Sequence, residues 1–501
     1  MRIAAALFPA LLAAQTYDLA LNNAHVIDPE SGLSAVRHIG IAAGKIAAIS
    51  RTPLQGKQTL DCAGLTAAPG FIDLHAHGQD EENQILQLQD GVTTALELEL
   101  GDADVDAWHA ARAGKRFLHS GVTVGHVPLR KQIFEDTGDL VPSGPAKDNA
   151  ASEEQITRIR AGIERGLLRG ALGLGFGIQY TPGASRWEIL ETFRAGARFQ
   201  APAFIHIRTM GGQGGTPGAK PAAAGAKSSA AGAQAAAAGA QASAAPDAMT
   251  GLQEIIAASA ITGMPVHMVH VTSSGLRQAP RLIQTVMEAR AHGVDISTEC
   301  YPYTAAMTGI QSAIFDEGWQ QVLGISYGDL QWTATGERLT AETFAKYRRE
   351  GGIVIMHMIP EEVVRFAVGH PEVIIASDGL IRDGKGHPRG AGTFARVLGR
   401  YVREQKVLTL ESAIRKMTLL PAQRLEKFAP VMKNKGRIRV GADADITVFD
   451  AAHVMDRATF EQPALPSGGI AHVIVGGVPV LLNAAVQHGV HPGQGIRAGA
   501  R

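Results

Sequence analysis

The chain has 501 residues, 45% of them hydrophobic, so it can bury a large core and global disorder is excluded. Its 47 basic and 47 acidic residues give zero formal net charge, which argues against nucleic acid or an anionic membrane as the main partner. The two cysteines, Cys62 and Cys300, exclude a disulfide scaffold and a four-cysteine zinc site. At roughly 150 residues per domain, the length predicts about three domains, or one large barrel with an appendage.

The first 15 residues have the pattern of a secretory signal peptide. Arg2 precedes an apolar run over 3–14 that ends in small residues. The run is too short to span a membrane and no later run is longer, so we expect no stable membrane association. We therefore expect a periplasmic or secreted protein. The alternative is an irregular N-terminus before the first strand, in a cytoplasmic protein.

Short strands with turn residues between them follow over 16–68. Asn22-Asn23 and Asp28-Pro29 are examples of these turn signals. The same pattern returns over 428–490. Two β segments that flank a long middle segment predict one small composite β-sandwich domain formed by both chain ends.

The middle segment, 69–427, alternates strand and helix patterns. The candidate strands are Phe71–His77, Val92–Glu99, Val122–His126, Ala171–Gly177, Ala203–Ile207, Val266–Val271, Asp295–Cys300 and Val373–Asp378. Helical stretches such as 153–168 and 278–292 separate most of them. Eight strands with intervening helices predict an α/β fold, a (β/α)8 TIM barrel, whose active site lies at the carboxyl ends of the strands.

The segment from about 211 to 245 consists almost entirely of Ala, Gly, Ser, Gln and Pro. Such a composition buries too little side chain to offset its ordering entropy, so we interpret it as a flexible insertion after the fifth barrel strand. It follows a candidate site residue, His206. A neutral expansion and a mobile flap over the barrel mouth are both compatible with this position.

Four histidines at strand ends form the strongest chemical signal. His75 and His77 are two residues apart, so their side chains face one side of a strand and can bind one divalent metal. His206 ends the fifth strand and His270 the sixth. His267 has the opposite parity to His270, so we place His267 in the core or toward the helices. Histidines on different strand ends favour a binuclear or mixed metal centre.

Asp378 lies in Ser377-Asp378-Gly379 at the end of the eighth strand. A carboxylate opposite a metal-activated water can accept its proton and later deliver it to a leaving group. A helix N-cap is the structural alternative, because Ser-Asp-Gly also suits that role. Beside four histidines we favour the catalytic role.

Together these motifs resemble the amidohydrolase superfamily and, within it, the N-acyl-D-amino-acid deacylase (D-aminoacylase) branch. The resemblance covers essentially the whole chain outside the leader and the insertion. Besides the His-x-His pair and Ser377-Asp378-Gly379, it rests on Gly125-His126-Val-Pro-Leu-Arg130, Tyr180-Thr-Pro-Gly183, Glu299-Cys-Tyr301-Pro-Tyr303-Thr, the block from His387-Pro-Arg389 to Tyr401, and the tail 436–445. The His-Pro-Arg block is the most specific for the branch.

This resemblance implies His75 and His77 on one metal, His206 and His270 on the other, and Asp378 as general base and acid. It also implies that Arg389, with Tyr180 or Tyr303, holds the substrate carboxylate, for which the planar guanidinium is suited. We add Tyr301 and His126 as substrate-binding candidates. Packing beside Pro302 is the plainer explanation of Tyr301 and Tyr303.

The chain departs from the branch at the group that bridges the metals. The resemblance leads us to expect a Cys after the second strand, and other amidohydrolases use a carboxylated Lys on the fourth, but neither is present here. Glu97 and Glu99 share one face of the second strand, and two buried, unpaired carboxylates would be very costly there. We therefore expect one of these two carboxylates to bridge the metals. We favour Glu99, which lies nearer the barrel mouth, with Glu97 as the deeper partner at the metal site. The alternative is that both face the helices and solvent.

The predicted function is metal-dependent hydrolysis of N-acyl, preferentially D-, amino acids by metal-activated hydroxide. We expect one or two divalent ions, Zn²⁺ first, with Mn²⁺ as an alternative because a carboxylate bridge favours harder metals. A different amidohydrolase reaction, on a cyclic imide or ureide, a small peptide or a xenobiotic amide, remains an alternative. A non-catalytic binding barrel is a further one. A small-molecule substrate is the expected partner, and a homo-oligomer is compatible with the sequence.

Overall fold

The computed structural model describes residues 16–211 and 247–499. The predicted signal peptide lies outside the described residues, as does the predicted insertion from residue 212 onward. Among the residues described, no helix has the length and apolar character needed to cross a bilayer.

Strands from both chain ends form one nine-stranded sheet. Its members are β1 (Tyr17–Asp28), β2 (Leu33–Ala42), β3 (Lys45–Ser50), β4 (Gly56–Asp61), β5 (Thr66–Pro69), β19 (Ile446–Phe449), β20 (Ile470–Val475), β21 (Val478–Leu482) and β22 (Ala485–Val486). The two ends meet where β5 and β19 pair antiparallel. Alternate apolar residues such as Leu19 and Leu21 pack with Ile446 in a buried cluster, as period-two strands with one covered face require.

Eight parallel strands form the barrel, in the order β16-β12-β11-β10-β9-β8-β7-β6. Their bounds are β6 (Phe71–Asp73), β7 (Val92–Asp102), β8 (His119–Gly125), β9 (Leu174–Gly177), β10 (Ala203–His206), β11 (Val266–Met268), β12 (Ile296–Cys300) and β16 (Ile374–Ile375). Backbone hydrogen bonds after β16 close the ring, because Asp378 N donates to His75 O at 2.7 Å and His77 N to Gly379 O at 3.0 Å.

Helices surround the barrel and connect its strands. They are α1 (Glu81–Gln89), α2 (Val105–Ala111), α3 (His126–Phe134), α4 (Pro145–Asp148), α5 (Glu153–Leu168), α6 (Arg186–Ala197), α7 (Ala248–Thr262), α8 (Val271–Gly275), α9 (Ala279–Ala291), α10 (Trp319–Leu323), α11 (Ala341–Glu350), α12 (Glu361–Gly369), α13 (Arg389–Arg396), α14 (Leu410–Met417) and α15 (Leu419–Glu426). The start of α5 shows why the sequence folds this way. Ser152 and Gln155 form a capping box, and Ile156, Ile159 and Ile163 recur at helical spacing on the buried face.

A smaller three-stranded sheet is inserted between the last two barrel strands. It contains β13 (Ala305–Gly309), β14 (Leu330–Trp332) and β15 (Ile353–His357), and a short hairpin of β17 (Ile381–Arg382) and β18 (Lys385–Gly386) follows β16. Apolar side chains of the insertion pack with Tyr180 and Met210, which follow β9 and β10. The inserted sheet therefore lies at the carboxyl face of the barrel, where the candidate histidines are.

The predicted fold class is confirmed, with a (β/α)8 barrel and a β domain built from both chain ends. Every one of the eight candidate strands overlaps an observed barrel strand, and the predicted helices 153–168 and 278–292 match α5 and α9 within one residue. The inserted sheet was not predicted.

Candidate metal centre

His75 and His77 lie directly after the end of β6. Their Nε2 atoms lie 3.1 Å apart and their rings stand nearly perpendicular. Asp73, the last residue of β6, accepts hydrogen bonds from the backbone N–H groups of His75 and Ser377, both at 3.0 Å. Asp73 therefore ties the chain that carries the two histidines to the chain that carries Asp378.

Glu99 on β7 lies between two pairs of histidines and is 2% exposed. Its Oε2 is 3.1 Å from the Nε2 atoms of both His75 and His77. Its Oε1 is 3.0 Å from His206 Nδ1 and 3.3 Å from His270 Nε2. One carboxylate thus faces all four imidazoles, which is the arrangement expected of a bridging ligand.

Asp378 lies beside His75 and His77, the first of the two histidine pairs. Its Oδ1 lies 3.4 Å from His75 Nε2 and 3.2 Å from His77 Nε2. Asp378 has φ of +52° and His270 has φ of +32°, a backbone region that residues other than glycine rarely adopt. Such strain tends to occur where the surrounding structure must place a functional side chain.

The residues form two donor sets that share Glu99. The first contains His75, His77, Glu99 and Asp378, and the second contains Glu99, His206 and His270. Four zinc ligands at roughly 2.0–2.2 Å in a tetrahedron stand about 3.4 Å from one another, close to the 3.1–3.4 Å spacing that links the histidine Nε2 atoms to each other and to the carboxylates. These imidazole and carboxylate atoms fit a pair of divalent metal ions.

Negative charge is concentrated in the first set. Burial opposes ionisation of Glu99, but His75, His206 and His270 hold its pKa well below the usual range. Burial likewise opposes ionisation of Asp378, and the Arg389 guanidinium, whose Nη2 lies 2.8 Å from Asp378 Oδ2, lowers its pKa strongly. Both carboxylates are therefore ionised at neutral pH, as ligands must be.

Glu97, which the sequence predicts as a metal ligand, lies behind His77 and outside both donor sets. Its Oε2 is 2.8 Å from His77 Nδ1. Its Oε1 accepts from the backbone of Leu100, at 3.2 Å, where the pairing of β7 with β8 becomes irregular. Glu97 therefore orients a ligand and does not join the donor atoms.

Glu299 on β12 was not assigned a role from sequence, although it lies in the Glu299-Cys-Tyr301 motif. It is 1% exposed, and its Oε1 lies 2.6 Å from His75 Nδ1 while its Oε2 lies 2.9 Å from His267 Nε2. Burial raises the pKa of Glu299, but His75 and His267 outweigh burial and lower it to about 2. His267 is fully buried in the core and reaches His75 through this carboxylate.

Arg389, the first residue of α13, lies beside Asp378 and is 1% exposed. Its guanidinium carbon lies 4.5 Å from the centre of the Tyr301 ring. Its Nε and Nη1 have no hydrogen-bond partner among the described residues. Tyr180 contacts the His206 ring edge-on at 4.8 Å, and burial together with Glu99 and Asp378 raises its pKa well above the usual value, so it stays a protonated donor.

Two of the substrate-binding candidates lie away from the donor sets. Tyr303 packs between His387 and Arg396, and its hydroxyl donates to Pro388 O at 3.4 Å. His126, at the start of α3, is fully buried, with Nε2 2.8 Å from Glu188, which also binds Arg130. Tyr303 therefore packs next to the backbone that precedes Arg389, and His126 belongs to a buried ion-pair network.

The fold and the site together define a class of protein: a (β/α)8 barrel with two histidine and carboxylate donor sets, joined by Glu99, that could hold divalent metal ions at the carboxyl ends of its strands. A sequence model of the amidohydrolase family matches residues 128–481. The chain belongs to the amidohydrolase family, and the prediction of a metal-dependent enzyme that hydrolyses non-peptide C–N bonds is confirmed.

Relatives of known activity match over nearly the whole chain. The N-acyl-D-glutamate deacylase of Alcaligenes xylosoxydans xylosoxydans is 29% identical, over 96% of this chain and 97% of the relative. The D-aminoacylase of the same organism is 27% identical, over 93% and 95%. The crystal structure of N-acyl-D-glutamate deacylase from Bordetella bronchiseptica, complexed with zinc and a phosphonate inhibitor, superposes with a TM-score of 0.75 at 25% identity and covers 97% of this chain and 100% of that one.

Proposed function

We propose that this protein is a divalent-metal-dependent deacylase of N-acyl-D-amino acids, which releases a carboxylate and a free amino acid. The deacylases that match its full length support the acyl amino acid as substrate class and the D configuration. The buried donor sets support metal dependence. We propose Zn²⁺ as the ion, with Mn²⁺ as the alternative that a carboxylate-rich site allows.

The observation that carries the proposal is the state of Arg389. A buried guanidinium beside the donor sets uses one nitrogen on Asp378 and leaves Nε and Nη1 without a partner in the described structure. Buried unpaired donors are costly unless something satisfies them. Nη2 has a second N–H, which together with Nε or Nη1 forms an edge that matches a carboxylate in two parallel hydrogen bonds, so the α-carboxylate of an acyl amino acid fits here.

The chain's own residues account for the proton transfers. A divalent metal held by the two donor sets would make water acidic enough to ionise near neutral pH and would polarise a carbonyl. Asp378, ionised because Arg389 and His75 lower its pKa, accepts the proton of the attacking water. It then delivers that proton to the amide nitrogen as the C–N bond breaks. Arg389 holds the substrate carboxylate, which keeps the scissile bond near Asp378, because Asp378 contacts the same guanidinium.

A substrate panel tests the proposal. After reconstitution with Zn²⁺, and in parallel with Mn²⁺, the enzyme should hydrolyse N-acetyl-D-amino acids faster than the L isomers, hydantoins, small peptides and simple amides. Hydrolysis of hydantoins alone would instead support a cyclic ureide hydrolase and overturn the deacylase assignment. An absence of bound metal together with no turnover of any substrate would contradict the whole function.

We also propose export of the protein and removal of its leader, supported by the sequence pattern of residues 1–15. Cell fractionation with mass measurement of the recovered chain tests this. A chain with its leader intact in the cytoplasm would refute it. We further propose a homo-oligomer without stable membrane association; light scattering of the purified enzyme gives the assembly state, and a monomer would refute that assignment.

A further inference from the structure

The helix that carries Arg389 is broken at Gly392. Within α13 this residue has non-helical backbone angles, with φ of −148° and ψ of 17°. The break divides α13 into a first turn, which contains Arg389, and a second part that begins at Thr393. A Cβ atom on Gly392 would lie 2.7 Å from the Cβ of Asp456 and 3.0 Å from the Tyr303 hydroxyl oxygen, so glycine allows these neighbours to approach the backbone.

Asp90 caps the second part of this helix in place of a local residue. With Gly392 at the N-cap position, Phe394 and Ala395 occupy the second and third helical positions, whose N–H groups a capping side chain normally binds. Glycine has no side chain for this purpose. Asp90, which follows α1 and is 3% exposed, binds them instead. Its Oδ2 accepts from Phe394 N at 2.7 Å and its Oδ1 from Ala395 N at 3.0 Å.

Ser467 joins Asp90 to the first turn of the helix. The Ser467 hydroxyl oxygen lies 2.7 Å from Asp90 Oδ1 and 3.1 Å from the carbonyl oxygen of Ala391. Burial raises the pKa of Asp90 to about 8, so its carboxyl group carries a proton at neutral pH. The carboxyl O–H can then donate to Ser467, whose own O–H donates to Ala391. Asp90 and Ser467 thus bind the chain on both sides of the break.

The direction of Arg389 depends on the first turn. Its backbone N–H donates to His387 Nδ1 at 3.0 Å, and its carbonyl oxygen accepts from the Thr393 hydroxyl at 2.9 Å. These bonds are local and would move with the turn. Asp90 and Ser467, in contrast, tie the helix to parts of the chain that are distant in sequence. A long side chain magnifies any rotation of its backbone, and an error of about 1 Å in substrate position can cost about 10²-fold in rate.

We propose that Asp90 and Ser467 are positioning residues, which hold the first turn of α13 so that Arg389 meets the substrate carboxylate. The inference deepens the proposed function and rests on it. Ser467 lies on the chain between β19 and β20. The inference therefore gives a segment of the β domain a part in substrate binding at the barrel.

Two substrates test this role. An N-acetyl-D-amino acid has the carboxylate that Arg389 would bind, and the corresponding neutral amide lacks it. Asp90→Ala and Ser467→Ala should each lower kcat/KM for the acid more than for the amide. Loss of a helix cap corresponds to a factor of about 2 to 30 in an equilibrium, and we expect the selective loss in Asp90→Ala to fall in this range.

Asp90→Asn is the conservative variant and should lose less than Asp90→Ala. Its amide oxygen can still accept from Phe394 N, and its amide N–H can take over the bond to Ser467. A role in stability alone would not produce this partial rescue of the acid-to-amide ratio.

Asp28 provides a matched control in the β domain. It is 1% exposed, and its carboxylate accepts from the backbone N–H groups of Ser31 and Ile438 and from the Ser31 hydroxyl. It lies at the end of β1, in the nine-stranded sheet. Asp28→Ala should lower the melting temperature and leave the acid-to-amide ratio of kcat/KM unchanged.

A double variant shows whether Asp90 acts through Arg389. In the Arg389→Lys background, Asp90→Ala should cause little further loss on the acid, because the two-pronged anchor is already absent. Losses that multiply in the double variant, or wild-type acid-to-amide ratios in folded Asp90→Ala and Ser467→Ala, overturn the positioning role and leave the proposed function intact. Thermal unfolding shows whether each variant is folded, and Ser467→Ala keeps the test decisive if Asp90→Ala is not. A wild-type enzyme that hydrolyses no N-acyl amino acid overturns both.

Discussion

Replacement of Arg389 by Lys separates anchoring of the substrate from the chemistry. The second N–H of Nη2, together with the unpartnered Nε or Nη1, offers two parallel charge-assisted hydrogen bonds to an α-carboxylate, and lysine retains the charge but not this two-pronged geometry. A hydrogen bond to a charged group contributes about 1.5–3 kcal/mol. Since about 1.4 kcal/mol corresponds to a factor of ten, loss of one such bond lowers kcat/KM about 10- to 150-fold.

The assay compares an N-acetyl-D-amino acid with the corresponding neutral amide, in which the carboxylate is removed from the substrate. Arg389→Lys should lower kcat/KM for the acid and leave the amide nearly unchanged. Arg424 provides a control, because it is also buried, is paired with Asp295 and has two unpartnered nitrogens, but it lies near the amino end of β12. Arg424→Lys should change stability only. Equal losses on both substrates in Arg389→Lys would refute the anchoring role.

The remaining predictions concern the base, the bridge, a buried histidine and a buried acid. Asp378→Asn should lower kcat about 10²- to 10⁴-fold, the usual contribution of general acid–base catalysis, as steady-state kinetics would show. Arg389→Met removes the cation that lowers the pKa of Asp378, so the acid limb of the kcat/KM profile should move to higher pH; an unmoved limb would contradict this. Glu99→Gln should lose bound metal and turnover together, and retention of both would remove Glu99 from the centre. His126→Asn should lower the melting temperature without a change in KM, because His126 contacts Glu188 and lies outside the donor sets. Burial raises the pKa of Asp90 to about 8. Because an unfolded Asp titrates near pH 4, the folded state holds a proton that the unfolded chain has lost, and this stabilisation decreases as pH rises from about 4 to about 8. The difference in melting temperature between pH 5 and pH 9 should therefore be smaller in Asp90→Asn than in the wild type.

The sequence predicts the barrel well because its elements depend on local signals. Barrel strands are short apolar runs with turn residues at both ends, and the intervening helices have capping residues and apolar positions at helical spacing, as in α5. The sequence also predicts that the histidines lie close together, because parallel strands end at one face of the barrel. Local signals of this kind need no knowledge of which strands are neighbours.

Elements that depend on contacts distant in sequence are not predicted in this way. Strands β13 and β14 have five and three residues and become strands by pairing with β15, about 25 to 50 residues further along the chain. Glu299 is 224 residues from His75, and its role exists only because β16 alone separates β12 from β6 where the barrel closes. The motif around Glu299 is visible in the sequence, but its contact with His75 arises from the order of the barrel strands and is not visible there.

Two pairs of candidate residues at the centre show where the alternation of side chains along a strand no longer predicts which way a residue faces. Glu97 and Glu99 share a strand face, yet Glu99 faces the donor atoms while Glu97 holds the back of His77, at the point where β7 departs from regular pairing. His267 and His270 have opposite parity, yet β11 ends at Met268 and His270 has a positive φ, so the alternation does not extend to it. His270 therefore reaches Glu99 directly, while His267 reaches His75 through Glu299. The irregular backbone at these two points allows residues close in sequence to take different roles, one facing the donor atoms and the other supporting a ligand histidine. A regular strand, whose side chains alternate strictly between two faces, would not allow this.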